Sequence, residues 1–92
     1  MLSYNDARQI GMQCCVDMLG RDFVKKYIST SSSAYGEDDG IVYCFLGIST
    51  EPDVLSEDMV LSSRNDFPYR ASCSVNMETG EIRDKNLVRP AA

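Results

Sequence analysis

The side chains that could carry chemistry are four cysteines, Cys14, Cys15, Cys44 and Cys73, and two acidic groups, Glu37-Asp38-Asp39 and Glu57-Asp58. The 92 residues include no histidine, so the commonest general base is missing. Neither a Ser-His-Asp nor a Cys-His arrangement can be assembled within the chain. No G-x-S-x-G, Walker loop or G-x-G-x-x-G is present. A carboxylate pair can do acid–base work, but acids in Gly- and Ser-rich surroundings are ordinarily solvated turns. The sequence therefore reads as a non-enzyme, with no catalytic residue and no cofactor. Glu37-Asp38-Asp39 offers hard oxygen ligands for calcium or magnesium, yet it lacks the spacing and the distant glutamate of an EF-hand loop. It is read as an exposed acidic turn, and no metal is expected.

The cysteines show no C-x-x-C and no zinc spacing. Adjacent Cys14 and Cys15 point to different sides of a helix and do not pair with each other. Reduced thiols packed as small hydrophobes are the first reading, with a Cys44–Cys73 bridge between neighbouring strands as the alternative. Cys15, near Gln13 and Asp17, reads as the least core-like of the four. Mid-helix beside an acid, it is expected to be inert.

Composition bounds the rest. A chain of 92 residues is one domain, residues 1–92. It buries roughly 60–65% of its unfolded surface, enough for a single modest core. Net charge is −5, with nine scattered basic residues of which Lys25-Lys26 is the densest pair. Nucleic acid and anionic membrane surfaces both need clustered cations, so neither is an expected partner. No apolar run is long enough for a transmembrane helix, and no signal peptide is visible. Reduced thiols suit a cytoplasmic chain; a mature secreted domain would present the same sequence.

The elements follow from periodicity. Ser3 is placed to N-cap a helix, with Asp6 three residues on. Ala7, Ile10, Cys14 and Met18, with Gly11 and Leu19 alongside, form an apolar stripe at helical spacing. Gly20 either ends this helix, with Asp22 capping a second turn through Ile28, or lies within one bent helix from about Asn5 to Ile28. Ser29 to Gly40, led by Ser29-Thr30-Ser31-Ser32-Ser33, has no periodicity and is predicted to be a loop ending in turn chemistry. Ile41–Ile48, apolar on both faces, reads as a central strand. Asp53–Leu61 fits a short helix or a bent edge strand. Tyr69, Ala71, Cys73, Val75 and Met77 alternate with polar residues, the period of a half-buried strand. Glu78-Thr79-Gly80-Glu81 turns the chain and Ile82-Arg83 begins the return.

The fold class is therefore α+β: an N-terminal helix, either broken near Gly20 or bent there, packed on a three- to four-stranded antiparallel sheet. Ile10, Cys14, Met18, Phe23 and Ile28 are expected to meet Val42, Cys44, Leu46, Cys73, Val75 and Ile82. Because Ile41–Ile48 is apolar on both faces, one helix cannot cover it. The surplus face needs a loop such as Asp53–Leu61, a ligand or a second chain. Tyr43, Phe45, Tyr35 and Tyr69 are the candidate interface residues.

The order of helix, serine-rich connection, strand and hairpin resembles small cystatin-like domains with a helix on a curved sheet. Val75-Asn76-Met77-Glu78-Thr79-Gly80-Glu81-Ile82 also resembles the V-x-x-x-T-G-E-[IV] hairpin of bacterial PepSY-type domains. That resemblance implies an inhibitory or regulatory module, often extracytoplasmic, and assigns no residue a role. The leading expectation is a non-enzymatic binding or regulatory module acting through a sheet face or edge on a protein partner, basic in character, or on a second copy of itself. The alternative is a small-ligand domain with its pocket between helix and sheet.

Overall fold

Ser3 starts the first helix, its Oγ accepting a hydrogen bond from the Asp6 amide at 3.1 Å. The computed structural model describes residues 1–50 and 67–90, so the expectation for Asp53–Leu61 lies outside the described residues. Helix α1 runs Tyr4–Leu19 and α2 runs Arg21–Lys26. Gly20 separates them with φ +104°, a conformation that L side chains rarely adopt. The helix is thus broken, and Gly20, not Asp22, stands at the N-cap of α2. A 3-10 turn over Ile28–Thr30 leads into β1 (Ser31–Asp38), β2 (Ile41–Ile48), β3 (Tyr69–Asn76) and β4 (Ile82–Val88). These form one antiparallel sheet in the order β1-β2-β3-β4, with α1 across one face.

The expected loop over Ser29–Gly40 is mostly strand β1, and this is a correction. β1 pairs with β2 along its whole length, from Ser31 opposite Ile48 to Asp38 opposite Ile41. Without it, one edge of the apolar β2 would leave its backbone groups unpaired. An edge strand can meet that need with small polar residues, because backbone bonds rather than side chains hold it. Asp39 and Gly40, with φ +52° and +78°, close the hairpin as a two-residue turn of the Asp-Gly type. The β3–β4 hairpin is held by Asn76, whose Oδ1 accepts from the Glu78 amide at 2.8 Å and the Thr79 amide at 3.3 Å.

Each sheet face follows from the register. Val42, Cys44, Leu46 and Ile48 of β2, with Ala71, Cys73 and Val75 of β3, are buried beneath α1. The helix answers with Ala7, Gly11, Cys15 and Leu19, one residue per four. Ala7, Gly11 and Leu19 belong to the expected stripe, while the side chains expected to meet the sheet were Ile10, Cys14, Met18, Phe23 and Ile28. Ile10, Cys14, Met18 and Phe23 instead flank the core half-buried, and Ile28, in the 3-10 turn, is 61% exposed. Cys15, read as the least core-like thiol, is fully buried. Small residues take the central row because the helix sits close. An ideal Cβ on Gly11 would lie 2.3 Å from Cys44 Sγ and 3.2 Å from Val75 Cγ2. At the N-terminal end the Leu2 amide donates to Met77 O at 2.7 Å, joining the start of α1 to the β3–β4 turn.

Two substitutions test this packing. Gly11→Ala should lower stability by about 1–3 kcal/mol in denaturant titration, as overpacked cores do. Cys44→Ala added to it should recover part of the loss, because the clash is with that side chain. Val75→Asp, at a fully buried position, should unfold the domain. A Val75→Asp variant that kept the wild-type melting temperature would contradict the core described here.

Candidate functional site

The sheet face away from α1 carries a slot of about 430 Å³ whose lining includes Gly36, Tyr43, Phe45, Ser72, Ser74 and Asp84. Its shape follows from the register. Gly36, Tyr43 and Ser74 lie side by side across β1, β2 and β3, and Ala34, Phe45 and Ser72 form the next row. Small neighbours on either side leave the Tyr43 ring standing clear, 49% exposed at the centre of the sheet. Phe45, one row along, is buried with its ring 6.2 Å from that of Phe67 in an edge-on arrangement. Phe67 in turn presses on Gly47, where an ideal Cβ would meet its ring at 2.5 Å. The apolar outer face of β2 is thus covered at the Phe45–Gly47 end and open at Tyr43.

Asp84 enters this face through an irregularity in β4. Ser74 pairs with Arg83 and Ser72 with Asn86, so Asp84 and Lys85 together oppose Cys73. Asp84 takes φ +56° at this bulge, a left-handed conformation that aspartate tolerates better than most residues. The Ser74 hydroxyl, buried, lies 3.1 Å from Asp84 Oδ2 and 3.2 Å from Arg83 O, and donates its hydrogen to these acceptors. Arg83, the adjacent cation, is bidentate to Glu81 at 3.0 and 3.1 Å. That pairing, together with the Asp84 charge, raises its pKa further. Asp38 lies on the same sheet face at the neighbouring row, opposite Ile41.

The four candidate interface residues divide between the two faces. Tyr43 and Phe45 share the outer face. Tyr35 lies on the helix side, its ring centroid 4.1 Å from the Arg8 guanidinium carbon, while Tyr4 flanks the same cation at 5.5 Å. The Arg8 Nε is buried without a hydrogen-bond partner. Tyr69 also faces the helices and packs on Phe23 with centroids 4.9 Å apart. Ser72, Ser74 and Asp84 were missed. A signal existed: Ile82 and Leu87 both face α1, yet they are five residues apart, an odd spacing that needs an inserted residue. The Glu37-Asp38-Asp39 turn is exposed, as read. All four cysteines are free thiols, with Cys44 and Cys73 directly opposite each other on β2 and β3. No protein-family model, curated protein or solved structure matches this chain.

The bulge makes its own prediction. Asp84→Val should cost about 1–2 kcal/mol in chemical denaturation, because a β-branched residue resists φ > 0. Asp84→Asn, which tolerates that conformation and keeps the Ser74 contact, should stay within about 0.5 kcal/mol of the parent. Equal losses for the two variants would contradict the assigned geometry.

Proposed function

We propose that this chain is a non-enzymatic binding module that receives a basic segment of a protein partner on the outer face of its sheet. The observation that carries the reading is Tyr43, half-exposed between Gly36 and Ser74, with Asp84 in the same slot. An open aromatic ring beside a carboxylate suits an Arg or Lys side chain, which gains cation–π and ionic attraction together. Arg83 competes little, being tied to Glu81. The net charge of −5 favours the same class of partner through encounter rate and specificity. The likeness to cystatin-like and PepSY-type regulatory domains points the same way and forms part of this proposal. Among the described residues no helix is long and apolar enough to cross a membrane.

A second reading places a small apolar ligand in the groove of about 630 Å³ between α1 and β4, walled by Ile10, Cys14, Met18, Ile82 and Lys85.

A titration of the labelled protein with an Arg- and Lys-rich peptide, followed by amide chemical shifts, tests the sheet-face reading. Shifts should concentrate at Gly36, Tyr43, Ser74 and Asp84 and weaken as salt rises. Tyr43→Ala should reduce affinity about tenfold, the scale of a desolvated cation–π contact. Shifts confined to the Glu37–Asp39 turn, or spread evenly over the acidic surface, would contradict it.

A further inference from the structure

Helix α1 packs over β2 and β3, so the edge strand β1 reaches beyond its cover. The overhang leaves a cleft of about 570 Å³ between α1 and β1. Arg8 spans it. Its carbonyl lies 4.0 Å from the Cys44 thiol of β2, while its side chain extends to Tyr35, the residue opposite Cys44 on β1. The Tyr35 ring centroid is 4.1 Å from the guanidinium carbon and the Tyr4 centroid 5.5 Å from it.

Contacts of this kind engage the faces of a guanidinium and leave its hydrogen-bond donors, which lie in its plane, in need of acceptors. Among the described residues Arg8 makes no side-chain hydrogen bond and no ion pair, and its Nε is buried without a partner. Asp6 and Glu37, two residues from Arg8 and from Tyr35 along their own elements, are not bonded to it. A cation held by two rings and given no acceptor is a costly arrangement for a folded chain and a prepared one for an anion.

We propose that the α1–β1 cleft binds a small organic monocarboxylate, its carboxylate on the edge of the Arg8 guanidinium and its apolar body against Met12 and Val16. The cleft lies on the helix side of the sheet, so this site is independent of the outer-face reading. The planar fork of arginine matches the two oxygens of a carboxylate. The rings already restrict the Arg8 side chain, so little freedom is lost on binding. Arg8 is the one cation among the described residues that line the cleft, which suits a single negative charge. The net charge of −5 works against a multiply charged phosphate. Met12 and Val16, four and eight residues on from Arg8, continue its side of the helix as an apolar wall. Asn5 and Gln9 add amides for a further polar atom of the ligand.

The test is a titration of the labelled protein with benzoate at constant ionic strength, with benzamide and inorganic phosphate as controls. Amide shifts and the Arg8 Nε–H resonance are the readout. Benzoate should give saturable shifts at Arg8, Met12, Val16 and Tyr35, with half-saturation at about 1–10 mM, the range open to so small a ligand. Benzamide has the shape without the charge and phosphate the charge without the apolar body; each should bind about tenfold more weakly or worse. Arg8→Lys keeps the charge and loses the fork, and should weaken benzoate by about fivefold or more. Circular dichroism checks that this variant folds, and the benzoate–benzamide comparison in the unaltered protein decides the question without it. Equal binding of benzamide, phosphate binding as tight as benzoate, benzoate shifts centred on Lys85 and the α1–β4 groove, or no saturable shifts at all would each overturn the inference.

Discussion

The close seating of α1 at Gly11 is the constraint on which the rest of the structure depends. Without a side chain there, the helix comes near enough for its Arg8 and Gly11 carbonyls to take contacts from Cys44 and Cys73 of the sheet. That distance suits the small Ala7, Gly11 and Cys15 of the central row, which Leu19 completes, while Ile10, Cys14 and Met18 lie on its flank. The same core holds the buried Cys15, Cys44 and Cys73, since cysteine is among the few residues small enough to pack at that range and still exclude water. A core of this kind draws stability from closeness of contact more than from bulk apolar area.

The opposite face of the sheet obeys different rules. β2 is apolar on both sides and central in the sheet, so its outer face is a surplus that something must cover. Phe67 covers one end by lying on Gly47 and beside Phe45. At the other end Tyr43 stands between Gly36 and Ser74, and the β4 bulge brings a carboxylate into the same slot. An aromatic ring flanked by small residues and an acid makes a poor core, which is the physical basis for the proposal that a partner covers it.

Much of this architecture was legible in the residues. Alternation in Tyr69–Met77, the Thr-Gly turn and the doubly apolar Ile41–Ile48 specified an antiparallel sheet, and Ser3 and Gly20 marked helix ends that the structure retains. β1 was not legible, because Ser31-Ser32-Ser33 carries no periodicity and earns its place only by pairing with β2. Its one local sign was Asp39-Gly40, which implies a strand before it as firmly as one after it. Of the buried helix row, Ala7, Gly11 and Leu19 stood in the expected stripe, whereas Cys15 was misread because Ile10, Cys14 and Met18 drew the stripe toward their own side of the helix. The candidate site was half legible: Tyr43 and Phe45 stand out by type, whereas Asp84 acquires its meaning from the bulge.

The bond from the Leu2 amide to Met77 O has a consequence for how the chain reaches this structure. It joins the residue ahead of the first helix to the turn of the last hairpin, across most of the described length. Closing so long a loop carries an entropic cost that must be met before the contact gives anything back. The helix can form early, since its bonds are local, but its seat is built from β2 and β3, which must pair first. α1 can therefore dock only once β2 and β3 have paired, and its start is fastened down only once the β3–β4 turn exists.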